Sequence, residues 1–162
     1  MTLFRHQHGW VIAASFAVAL LLTMLPLPDW AAPLRPEWVV LVLIYWCMAL
    51  PSRVGVGTGW ILGLLLDVAR GAILGQHALA LSLVAFLAVH FHQRIRIYPL
   101  WQQGFSILML VALAQMLVLW IKGVVGQLPG TWTYWLPSLT SSLFWPWVFL
   151  LLRDVRRRFR VA

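Results

Sequence analysis

Residues 38–75 read WVVLVLIYWCMAL-PSR-VGVGTGWILGLLLDVAR-GAILG. Two apolar runs, residues 38–50 and 54–66, flank the turn Pro51-Ser52-Arg53, and the second is threaded with glycine. At 1.5 Å per residue a 13-residue run reaches only about 20 Å of a hydrocarbon core roughly 30 Å thick. If these runs cross a bilayer, they continue into flanking residues and take in Glu37 and Asp67. A re-entrant hairpin is the rival, but it places Arg53 near mid-bilayer at a cost of at least about 2.5 kcal/mol. Two separate spans leave Arg53 in a water-facing turn, and that reading is preferred.

The spacing within the second run is the most informative in the chain. Gly55, Gly59, Gly63, Asp67, Gly71 and Gly75 recur every four residues, with Gly57 close by. Positions four apart share one ridge of a helix, and a ridge of small residues lets another helix approach closely. The ridge reads as a packing seam, either internal or with a partner protein. Asp67 is the one acid inside the central part of an apolar run, and a carboxylate there is a functional candidate by default. Arg70, three residues on, falls on the same face if the helix continues. The readings open for Asp67 are a structural pair with Arg70, a polar anchor for a partner, and a proton or substrate site.

Four more apolar runs, residues 10–27, 78–89, 105–121 and 135–152, bring the total to six. The fourth run is also short and extends toward His77 or His90. Across all 162 residues 62% are hydrophobic and 10% charged, and the mean hydropathy is +0.88. Soluble domains carry about a quarter charged residues, so a soluble globule is excluded. The expected fold is an all-α integral membrane protein: one polytopic domain over residues 1–162 with six transmembrane helices. Arg5 ahead of run 10–27 imitates a signal peptide, but about 18 apolar residues exceed a signal core. The site Asp29-Trp30-Ala31-Ala32-Pro33 is also a poor one for cleavage, so the segment reads as a retained first span.

The net charge is +8 and the sequence pI about 11.4. The cations sit between and after apolar runs instead of forming a soluble face, which argues against nucleic acid. With the amino terminus inside, Arg5, Arg53, Arg94, Arg96, Arg153, Arg156, Arg157, Arg158 and Arg160 are cytoplasmic, against Arg35, Arg70 and Lys122 outside. That asymmetry over short loops predicts both termini in the cytoplasm. Many of the eleven Trp, among them Trp10, Trp38, Trp101, Trp120 and Trp135, flank the runs where interfacial belts belong. Pro137 and Pro146 in the last run predict a kink. The tail Arg153, Arg156, Arg157, Arg158 and Arg160 is a basic cluster at the membrane surface that attracts anionic lipid.

Catalytic and metal chemistry find no foothold. His6 and His8, and His90 and His92, are two apart and point to different helix faces. Ser138, Ser141 and Ser142 have no His or acid near them in sequence, and no P-loop or dinucleotide fingerprint occurs. Cys47 is a single thiol inside a run and reads as structural. No catalytic residue, metal or cofactor is expected.

Several blocks resemble the rod shape-determining MreD family, proteobacterial type. They are Arg35-Pro36-Glu37-Trp38 with residues 39–45, Ala49-Leu50-Pro51-Ser52-Arg53-Val54-Gly55-Val56-Gly57-Thr58-Gly59, and Gly63-Leu64-Leu65-Leu66-Asp67 running on to Leu74-Gly75. The ending Phe144-Trp145-Pro146-Trp147 through Arg153 is similar as well. The resemblance spans essentially the whole chain, and residues 35–75 are its specific part. Ser52 stands where other members carry His, which argues against a catalytic role there. The resemblance implies a multi-pass subunit of the bacterial inner membrane, within the elongation machinery that maintains cell shape. It implies association with MreC and, through it, with MreB, alongside RodA and its class B transpeptidase partner, without catalysis or cofactor. It also implies a six-helix arrangement similar to the substrate-binding components of energy-coupling-factor transporters. Two hypotheses follow: a non-enzymatic assembly subunit, which is preferred, and a component that binds or carries a small molecule or lipid.

Overall fold

A computed structural model of the chain describes residues 9–25, 28, 37–50, 54–70, 75–125 and 135–159. Seven helices and no strand lie among the described residues. They are α1 (Gly9–Met24), α2 (Trp38–Ala49), α3 (Val56–Arg70), α4 (Gln76–His90), α5 (His92–Ile97), α6 (Leu100–Val125) and α7 (Leu136–Phe159). Six of them fall on the six apolar runs. The seventh, α5, is a six-residue polar turn of helix, HQRIRI, between α4 and α6.

The architecture is centred on α2, which is apolar on every face and therefore buried on every face. Each residue from Val39 to Met48 is buried, and Leu41, Leu43, Ile44, Trp46 and Cys47 are fully enclosed. Helices α1, α4, α5 and α7 pack around it. The Trp46 indole donates to Ser15 Oγ of α1 at 2.9 Å, and Tyr45 meets Phe149 of α7 edge to face. The expected extension of this run through Glu37 does not occur. Glu37 has left helical geometry (φ −82°, ψ 76°), and its N–H donates to Ser141 Oγ of α7 at 2.8 Å. A neighbouring helix thus takes a donor that one more turn of α2 would have used. Twelve residues span about 18 Å, which is enough for a helix wrapped by others. By contrast, α3 continues through Asp67 to Arg70, and α4 takes in His77 and ends at His90.

Outside this centre, α3 packs along α4, α4 along α6, and α6 along α7, while α1 also touches α3. Among the described residues one helix, Leu100–Val124 within α6, is long and apolar enough to cross a membrane by itself; Trp10–Met24, Trp38–Ala49, Val56–Ala69 and Gln76–His90 are shorter apolar helices. The outer faces are apolar too. Val124 is 90% exposed, Leu143 77%, and Trp101 and Trp147 73% each. Helix α7 runs unbroken through Pro146. The Ser142 carbonyl, deprived of its helical donor by that proline, lies beside Gly104 of α6, and Ser142 Oγ donates to the Gly104 carbonyl at 2.7 Å. The cleavage-like segment and the Pro51-Ser52-Arg53 turn lie outside the described residues.

Candidate functional site

The glycine-rich face of α3 meets α4 at backbone distance. A Cβ built on Gly59 would stand 2.7 Å from the Leu81 carbonyl oxygen and 3.1 Å from the Ala85 Cβ. One built on Gly63 would collide with the backbone of His77 and Ala78. The structure brings these two glycines of the ridge together with α4. It does not bring Gly55 or Gly57 there, since both face open space. Gly71 lies outside the described residues. Gly75, at φ +98°, takes the left-handed conformation that lets the chain enter α4.

Asp67 closes the seam. It stands one turn beyond Gly63 and is fully buried. Its Oδ2 accepts the Gly75 N–H at 2.9 Å, and its Oδ1 accepts the His77 N–H at 2.9 Å. The His77 ring Nδ1 lies 2.7 Å from the same Oδ1 and donates when it carries the proton. Gly75 is the cap residue of α4 and has no side chain to satisfy the first N–H groups of that helix. Asp67 performs this from the preceding helix, with its charge at the positive end of the α4 dipole. A buried carboxylate is costly unless it is hydrogen-bonded, and here three donors surround it. The Arg70 side chain lies outside the described residues, so the Asp67 partners on view are Gly75 and His77.

Other buried polar groups are engaged in the same way. Gln103 of α6 donates to the Ile95 and Tyr98 carbonyls at 3.1 and 3.2 Å and accepts the Trp145 indole N–H at 3.1 Å. One side chain thereby ties the end of α5 to α6 and α7. Ser138 Oγ donates to the Trp135 carbonyl. Ser141 and Ser142 are both taken by the helix contacts described above. His92 Nδ1 contacts the Val89 carbonyl at 2.5 Å, and the His90 ring stacks on Phe86. Cys47 is a buried free thiol. No group of three or more His, Cys, Asp or Glu comes together among the described residues. At the end of α7, Arg157 and Arg158 are exposed, Arg153 and Arg156 are half-buried, and Arg160 lies outside the described residues.

Sequence reasoning missed Gln103 and noted His77 and Ser141 without the contacts they make. A sign of each was present, a polar residue interrupting or bounding an apolar stretch, but its partner sits on another helix. The arrangement fastens helices together. It is not a nucleophile–base pair, and its carboxylate faces backbone donors instead of an open cavity.

A family model described as rod shape-determining protein MreD matches residues 4–155. The rod shape-determining protein MreD of Haemophilus influenzae is 34% identical over 152 residues, covering 94% of each chain. No solved structure matches significantly.

Proposed function

The chain belongs to the MreD family of rod shape-determining proteins, and on that footing we propose that it is a non-enzymatic assembly subunit of the inner-membrane elongation machinery. Its work is to dock MreC and so to join the complex that contains MreB, RodA and the class B transpeptidase partner of RodA. In this reading the six apolar helices form a multi-pass bundle, with α2 sheltered by its neighbours and both termini in the cytoplasm.

The observation that carries the reading is how the polar side chains are used. Asp67, His77, Gln103, Ser141 and Ser142 all serve contacts between helices. The exposed faces of the described helices are largely apolar, with basic residues at the end of α7 and Arg94 on α5. A molecule built this way offers a rigid docking surface, and it supports neither a reacting centre nor a carrier site at Asp67. The test is replacement in a rod-shaped bacterium that lacks its own copy. The chain should restore rod shape and draw fluorescent MreC into the patches along the cylinder wall. Restored shape with MreC distributed as in the deletion strain would overturn the docking role.

A further inference from the structure

The arginines at the end of α7 are not equivalent. Arg153 and Arg156 line a cavity of about 90 Å³ together with Tyr45, Met48 and Ala49 of α2 and Phe149 of α7. The Arg153 guanidinium carbon lies 5.9 Å from the centre of the Phe149 ring, and Phe149 packs edge-on against Tyr45 at 5.7 Å between centroids. The aromatic pair forms one side of the cavity and holds the guanidinium by its face. Arg153 Nε is buried without a hydrogen-bond partner, and no carboxylate among the described residues pairs with Arg153 or Arg156. A buried donor on a charged group left unmatched is costly.

The chemistry that satisfies such a fork is an oxyanion, whose paired oxygens meet guanidinium N–H groups in parallel. Two positive charges around a cavity this small suit a phosphate group. Trp147, Leu150 and Leu151, next along α7, are exposed apolar side chains that offer acyl chains a surface. We infer that Arg153 and Arg156 form a seat for the headgroup phosphate of an anionic membrane lipid at the junction of α2 and α7. Arg157 and Arg158, exposed beyond the cavity, supply only the general attraction of a basic surface. The seat requires that α7 end at a membrane surface, and it requires no docked protein. The end of α2 carries partial negative charge and competes for Arg153, so a purely capping role for Arg153 is the alternative the experiment must separate.

The full-length protein in a non-ionic detergent is titrated with phosphatidylglycerol, phosphatidylcholine and inorganic phosphate and read by native mass spectrometry. One phosphatidylglycerol per chain should bind in preference to phosphatidylcholine. Arg153→Gln with Arg156→Gln should weaken it by about tenfold or more, and Arg157→Gln with Arg158→Gln by much less. Arg153→Lys keeps the charge, loses the fork, and should weaken phosphatidylglycerol binding without moving the unfolding temperature. Equal losses from the two double variants would overturn the seat in favour of diffuse attraction. Displacement of the lipid by millimolar inorganic phosphate would overturn the lipid as its occupant. A lowered unfolding temperature with unchanged lipid binding would make Arg153 a cap for α2 and overturn the proposal.

Discussion

Asp67 and the glycines before it act as one device. The glycines remove the side chains that would hold α3 and α4 apart, and the carboxylate binds the first N–H groups of α4 once the helices touch. Asp67→Asn keeps the size of the side chain but removes the charge and turns an N–H group toward one of the donors. Losing charge-assisted bonds inside the protein costs about 2–4 kcal/mol, which in a chain of this length lowers the unfolding temperature by about 4–16 °C. Thermal unfolding of the purified variant in detergent measures it; an unchanged temperature would return Asp67 to the list of candidate substrate or proton sites. The glycines divide by what stands opposite them. Gly63→Ala places a methyl group in the α4 backbone and should cost at least about 2 kcal/mol. Gly57→Ala meets open space, and Gly104→Ala meets Ser142 at 3.5–3.6 Å, an ordinary contact. Both should stay within about 1 kcal/mol of the parent, helped by the gain in helix propensity. The same unfolding assay ranks all three.

Among the helices, α2 and the α5–α6 corner show how length and polarity are traded. A 12-residue helix serves at the centre because its surroundings are other helices, and the N–H of its cap residue Glu37 finds Ser141. Between α5 and α6 the chain leaves helical geometry at Tyr98 (φ −73°, ψ 146°), and Gln103 binds the Ile95 and Tyr98 carbonyls there while holding the Trp145 indole. Gln103→Leu fills the same space but takes their side-chain partner from the Tyr98 carbonyl and the Trp145 indole N–H, at about 1–3 kcal/mol for each buried group, while the Ile95 carbonyl keeps the Tyr98 N–H. It should therefore destabilise more than Leu110→Ala, a truncation of a partly buried residue on the same helix. Comparable unfolding temperatures for the two variants would contradict the assigned role. Much at this scale was legible in the sequence. Each apolar run became a helix because uniform apolarity over this length has few other solutions, and the four-residue glycine period marked the α3 face that meets α4. The short α5 was not legible, because HQRIRI has neither the length nor the apolar pattern of a span. The meeting of Asp67 with His77 was not legible either, because the two lie ten residues apart and come together only across the left-handed Gly75.

Across the described residues apolar surface faces outward while Asp67, His77, Gln103, Ser141 and Ser142 are matched between helices inside, an arrangement suited to a bilayer, whose core offers polar groups no water. The excess of cations at one set of loops predicts both ends in the cytoplasm. A reporter that is active only in the cytoplasm should be active at either end, and one that is active only outside should be silent at both. The apolar exterior of the described helices is the surface on which the proposed assembly role depends. Affinity purification of the tagged chain from native membranes in mild detergent, with quantitative mass spectrometry of proteins and small molecules, tests that role directly. MreC recovered at near-equal amount with no defined metabolite would meet the expectation of an assembly subunit. A specific metabolite recovered in stoichiometric amount without MreC would contradict it.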